Sequence, residues 1–160
     1  MSNFELFSVK GQVALVTGAS GGLGRFFAIA LASAGAQVIV AARNEEKLRE
    51  VVSEIEKNGG SAFAVELDVT SLMSIKKALY ECGKHFSTID ILVNNAGISG
   101  REETLNISTQ NWDQVMDTNL KGMWLVTQEV VKAAISVKKK CSIINISSIL
   151  GLRVMPGILS

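Results

Sequence analysis

The chain has 160 residues, 48% hydrophobic and 19% charged, with a net charge of +1. These values exclude a disordered chain and fit one globular domain over residues 1–160, long enough to hide about 68–70% of its unfolded surface. The near-neutral balance also excludes a strongly basic nucleic-acid binder.

Gln12–Thr17 is a nearly continuous apolar run ending at Gly18, the pattern of a strand buried on both faces. A glycine-rich turn follows, then a helix over Leu23–Ala34 that Gly35 stops. Gln37–Ala42 is a second apolar strand, and Asn44 caps a helix over Glu45–Lys57 with acids in its first turn. Ser61–Leu67 is the third strand, and Ser71 caps a helix running to about Phe86. Ile89–Val93 is the fourth strand. After a loop rich in Gly, Ser and charge, Ser108 or Thr109 caps a long helix to about Val137. Lys138, Lys139 and Lys140 suit the negative end of its dipole. Ser142–Ile146 is the fifth strand. This βαβαβαβαβ alternation predicts an α/β fold: a Rossmann-like, doubly wound parallel sheet with strand order 3-2-1-4-5.

The turn Thr17-Gly18-Ala19-Ser20-Gly21-Gly22-Leu23-Gly24 carries the first functional signal. Gly18 allows a tight bend, Gly22 lets backbone approach a diphosphate, and Gly24 lets the helix pack closely. Unpaired amides from Leu23 onward at the helix start then face the phosphates. The second strand ends Val40-Ala41-Ala42-Arg43-Asn44, with no acid to bind a ribose 2′-hydroxyl. Arg43 suits a 2′-phosphate instead, and Ser20 can add a hydroxyl, so the sequence favours NADP over NAD. The competing role for Arg43 is an ion pair with Glu46. The missing acid also counts against a methyltransferase that uses S-adenosylmethionine.

Further motifs complete a pattern. Leu67-Asp68-Val69-Thr70 follows the third strand and Asn94-Asn95-Ala96-Gly97 follows the fourth. Asp117-Thr118-Asn119-Leu120 lies in the long helix, and Ile144-Asn145-Ile146-Ser147-Ser148 covers the fifth strand. With Thr17-Gly18-x-x-x-Gly22-x-Gly24, this set resembles the short-chain dehydrogenase/reductase family over nearly the whole chain. The resemblance implies that Asp68 and Val69 hold the adenine edge. It implies that Asn95, Ala96 and Gly97 line the cofactor cleft while Asn94 ties neighbouring strands. It also implies that Ser148 bonds the substrate oxygen and Asn119 holds a water in a proton relay. Trp112, Val115, Met116, Asn119, Met123 and Val126 recur at helical spacing, so Asn119 is the polar exception on an apolar face. A buried amide without partners costs about 1–3 kcal/mol, so a specific bond is expected, either functional or to a neighbouring loop.

The family's proton donor is a tyrosine thirteen residues after the serine, with a lysine four further on. Counted from Ser148 the tyrosine falls at position 161, beyond Ser160. Tyr80 and Lys84 have the same spacing but precede the fourth strand, on the outward half of a helix, where such neighbours are ordinary packing. The expectation is a chain truncated before its proton donor, which binds cofactor better than it catalyses. The fifth strand would be an apolar edge flanked by Ile149, Leu150, Leu152, Val154, Met155, Ile158 and Leu159. The native protein is expected to continue by roughly another third, adding strands and a substrate lid.

Cys82 and Cys141 have no metal-ligand spacing, and His85 lacks catalytic partners, so no metal is expected. Met1–Lys10 is no signal peptide, and no apolar run approaches the ~20 residues of a membrane span. A cytoplasmic protein with no nucleic-acid or membrane partner is expected. The resemblance implies a homo-oligomer in the full-length form. The leading expectation is an NADP(H)-dependent oxidoreductase interconverting a ketone or aldehyde and an alcohol, with a small-molecule carbonyl or alcohol substrate. The alternatives are a non-catalytic dinucleotide-binding module, if the chain natively ends at residue 160, and a cofactor-free interaction domain.

Overall fold

The computed structural model describes residues 8–100 and 104–153. Five parallel strands form one sheet: β1 (Val13–Thr17), β2 (Gln37–Ala42), β3 (Ser61–Glu66), β4 (Ile91–Asn94) and β5 (Ser142–Asn145). Their order is β3-β2-β1-β4-β5, the doubly wound arrangement expected from the alternation. The helices are α1 (Gly22–Ser33), α2 (Glu45–Lys57), α3 (Leu72–Gly83), α4 (Thr109–Met116) and α5 (Met123–Ser136). Leu15 sits opposite Ile39 of β2 and Leu92 of β4.

The two-residue period of the strands divides the core into two layers. Ala14, Val16, Val38 and Val40 face α1 and α2, packing with Ala28, Ala32, Leu48, Val51 and Ile55. Val13, Leu15, Ile39, Ala41 and Leu92 face the other way, onto Ile75 and Ala78 of α3 and Val126 and Val130 of α5. Every residue of β1 is therefore buried, which is why it reads as an unbroken apolar run. Each large side chain so buried contributes about 1.5–3 kcal/mol.

Three helices begin with a side-chain cap. Asn44 accepts from the Lys47 amide at 3.0 Å and Ser71 from the Ser74 amide at 3.2 Å. Ser108, not Thr109, takes this role for α4, accepting from the Asn111 amide at 3.2 Å. At α1 the capping position is Gly21, which offers no side-chain bond.

The long helix expected up to Val137 is interrupted. A π-helical turn, Asp117–Gly122, separates α4 from α5. Such a turn adds a residue and rotates α5 about its axis relative to α4, so a constant 3.6-residue period cannot describe this segment. Val115 and Val126 are buried, but Trp112 is exposed. α5 closes with the Lys139 amide on the Ala134 carbonyl at 2.9 Å and the Lys138 amide on that of Ile135 at 3.0 Å. Lys138 adopts φ 56, so a lysine stands where glycine would carry no conformational cost.

α3 ends at Gly83, short of Phe86, whose ring meets Phe63 of β3 edge-on at 6.0 Å. Exposed His85 also stacks on Phe63, with ring centroids 4.5 Å apart. All four residues of β5 are exposed, with Ile143 at 39% and Ile144 at 46%. Ile149 and Leu152 are exposed as well. Val154, Met155, Ile158 and Leu159, expected on the same apolar edge, lie outside the described residues. No helix among the described residues is long and apolar enough to cross a membrane.

Candidate functional site

The connections from β1 and β4 leave toward opposite edges of the sheet, so their C-terminal ends part where the strand order reverses. A cleft of about 400 Å³ occupies this point. Gly18, Ser20, Gly22, Arg43, Asp68, Val69, Asn95, Ala96 and Gly97 line it, together with Leu67, Thr70, Ile98 and Thr118. Residues far apart in the sequence thus meet on one surface. Leu23 and Gly24 are not on the wall. Leu23 is 61% exposed at the start of α1. Gly24 is buried, where a Cβ would overlap the Gly18 carbonyl and come 2.5 Å from Asn95 Nδ2.

Two other glycines of the turn adopt positive φ. Gly18 has φ +66, and a Cβ there would lie 2.8 Å from the Ala96 Cα. Gly22 has φ +52 and faces open space, so its need is backbone geometry and an unobstructed approach. The first amides of α1 carry no side-chain cap and have the positive end of the helix dipole behind them. The cleft therefore offers bare donors at one end.

Thr17 and Asn95 stitch this turn to β4. The Thr17 hydroxyl accepts from the amides of Asn95 (3.0 Å) and Ala96 (3.1 Å) and donates to the Val93 carbonyl at 3.3 Å. Asn95 Nδ2 returns bonds to the carbonyls of Thr17 (3.0 Å) and Gly18 (3.3 Å). The sequence placed Thr17 in the motif without giving it this role. A polar residue closing an otherwise apolar buried strand is the signal that could have found it.

The other wall is equally organised. Asp68 Oδ1 accepts from the Thr70 amide at 2.9 Å and hydroxyl at 2.8 Å, and the Asp68 amide donates to Ser74 Oγ at 3.0 Å. Arg43 is exposed at the tip of β2 and forms no ion pair or hydrogen bond among the described residues. The alternative pair with Glu46 does not form, so the guanidinium is available to the cleft. Asn94 ties strands as expected: its Nδ2 donates to Asn145 Oδ1 at 2.9 Å and to Thr127 Oγ1 on α5 at 2.8 Å.

A second cleft of about 550 Å³ adjoins the first and shares Asn95, Ala96, Gly97 and Ile98. Asn119, Asn145, Ser147 and Ser148 line it. Ser148 Oγ accepts from the Leu150 amide at 3.1 Å, leaving its own proton to donate. The Asn119 amide clasps one residue of the opposite loop. Its Nδ2 donates to the Ile98 carbonyl at 2.8 Å, and its Oδ1 accepts from the Ile98 amide at 2.9 Å. This is the neighbouring-loop bond, and it uses both ends of the side chain.

Tyr80 is 69% exposed on α3, with Lys84 Nζ 4.7 Å above its ring, and lines neither cleft. Burial pushes the Cys82 thiol up to about 12, and burial with Asp90 nearby raises that of Cys141. Both stay protonated at neutral pH, so neither is an activated nucleophile. Among the described residues no group of three or more His, Cys, Asp or Glu could hold a metal ion.

Comparisons with known proteins agree with this geometry. Residues 12–160 match the family described as short chain dehydrogenase. A 3-oxoacyl-(acyl-carrier-protein) reductase of Synechocystis is 40% identical over 151 residues, covering 94% of this chain and 61% of that protein. A short-chain type dehydrogenase/reductase from Mycobacterium marinum superposes with TM-score 0.93 at 35% identity, over 99% of this chain and 65% of that one. A gluconate 5-dehydrogenase from Burkholderia cenocepacia, solved in complex with NADP and tartrate, gives TM-score 0.89 at 34% identity, over 97% of this chain and 60% of that one. The chain spans about three-fifths of the length of the curated relatives it matches. Sheet order, glycine turn and family match converge: the chain belongs to the short-chain dehydrogenase family of oxidoreductases.

Proposed function

We propose that these residues form the cofactor-binding domain of an NADP(H)-dependent oxidoreductase that interconverts a ketone or aldehyde and an alcohol. One observation carries the choice of cofactor: unpaired Arg43 stands at the tip of β2, on the wall of a cleft whose other end is the uncapped start of α1. A dinucleotide with an extra phosphate on its adenosine ribose satisfies both features. The amides at the start of α1 bind the diphosphate, with Gly18 and Gly22 clearing the approach. Arg43 and Ser20 hold the 2′-phosphate. Asp68 and Val69 border the adenine, while Asn95, Ala96 and Gly97 line the passage to the second cleft.

The fit rests on this chain's own donors: a bare helix start, open space over Gly22 and an unpaired guanidinium. Bound there, NADPH supplies a hydride to the substrate carbonyl carbon. Ser148 donates a hydrogen bond to the oxygen on which negative charge builds. Asn119, implied by the family resemblance to hold a water in a proton relay, spends both ends of its side-chain amide on Ile98 and so fixes that loop. The alkoxide also needs a proton, which in this reading the family's tyrosine would supply; such general acid help contributes typically about 10²–10⁴-fold.

Titration of the protein with NADPH and NADH tests the cofactor assignment, and tighter binding of NADPH is expected. Arg43→Asp should lower the NADPH/NADH affinity ratio by about ten- to a hundredfold, the worth of a charge-assisted contact. An unchanged ratio would remove the 2′-phosphate reading. Failure to bind either nucleotide would remove the cofactor reading altogether.

A further inference from the structure

The π-helical turn touches the cofactor cleft twice. Asn119 reaches forward to the Ile98 loop, and three residues later Gly122 is pressed against the loop that carries Asp68 and Val69. Gly122 is buried, and a Cβ built on it would lie 2.8 Å from Val69 Cγ2, 3.0 Å from Val69 Cβ and 3.0 Å from the Asp117 carbonyl. Turning Val69 about χ1 would move Cγ2 but not Cβ, and a β-branched side chain has few alternatives. A methyl group at position 122 must therefore displace backbone, either of the Val69 loop or of the helix.

The residues around Val69 are tied together by hydrogen bonds. Asp68 is bonded to Thr70 through both amide and hydroxyl, and to Ser74 through its own amide. A push at Val69 is thus passed to Asp68 and Thr70, all three of which line the cleft. The Gly122 φ lies outside the left-handed region, so the absent side chain answers to packing rather than to backbone conformation. The π-helical turn sets the depth at which α5 meets this loop, because its extra residue fixes where Gly122 faces.

We infer that Gly122 is a positioning residue for the adenosine end of the cofactor: lacking a side chain, it lets Val69 sit back and keeps the adenine wall open. This rests on the proposal that the cleft binds NADP(H) with its adenine beside Asp68 and Val69. Its effect should be confined to the adenosine half of the ligand, because the Asn119 clasp on Ile98 is left intact.

The test is binding of three probes to the protein: NADPH, adenosine 2′,5′-bisphosphate and reduced nicotinamide mononucleotide. Gly122→Ala should weaken NADPH and the bisphosphate about tenfold, with the mononucleotide changed less than twofold. In a Val69→Gly background the same substitution should cost much less, since both obstructing Val69 atoms are gone. If Gly122→Ala alone does not fold, the comparison runs between Val69→Gly and the double variant. Near-equal bisphosphate affinity supports the inference, and a tenfold gap overturns it. Wild-type affinity for all three probes in Gly122→Ala overturns it, as does equal weakening of all three. A wild-type protein that binds neither NADPH nor the bisphosphate would instead remove the underlying cofactor reading.

Discussion

β1 and β5 are parallel strands of one sheet with opposite surroundings. Val13–Thr17 is buried throughout, paired on both sides and covered on both faces. Ser142–Asn145 pairs on one side only, and all four residues are exposed. The first strand ends in the glycine turn, where every close approach has a defined partner. The fifth leads to Ser147 and Ser148 on the wall of a wide second cleft. The first cleft is thus bounded by tightly packed and hydrogen-bonded loops, whereas the second lies beside exposed apolar surface.

The largest expected effect contrasts the two strands directly. Leu15→Ala should cost about 2–5 kcal/mol in urea unfolding, because the cavity forms where nothing can collapse into it. Ile144→Ala should cost about 1 kcal/mol or less, since its side chain is already half in water. Equal losses would erase the distinction between centre and edge. Next comes Thr17→Val, which keeps the shape of the side chain but leaves the Asn95 and Ala96 amides without their acceptor. A loss of about 1–3 kcal/mol is expected, with weaker NADPH binding in the same titration. Unchanged stability and affinity would show that the stitch is dispensable. The smallest effect lies beside the β5 edge. Lys138→Gly should gain about 0.5–1 kcal/mol by relieving the φ 56 conformation, read as a higher urea midpoint at constant slope.

Much of this was legible in the sequence because the causes are local. The apolar run of β1 reports double-sided cover, and Asn44 and Ser71 report helix starts through bonds only three residues long. The glycine spacing reports the turn because few residues adopt φ +66 at Gly18. The features that escaped are set by distant partners. The π-helical turn is an irregularity whose contacts are tertiary, Asn119 on Ile98 and Gly122 on Val69, and nothing in the run Asp117-Thr118-Asn119-Leu120 announces it. The choice of Arg43 between Glu46 and the cleft likewise depended on geometry that composition does not encode.

The bonds from Thr17 to Asn95 and Ala96 span 78 and 79 positions of sequence. During synthesis, the ribosome must therefore release nearly a hundred residues before the cradle can close. Until then the turn after β1 lacks its partners beyond β4, and under the proposed function a nucleotide would not meet the complete cleft during the first steps of folding. Ligand can favour only the docked form, so it should slow unfolding far more than it speeds the search for the native topology.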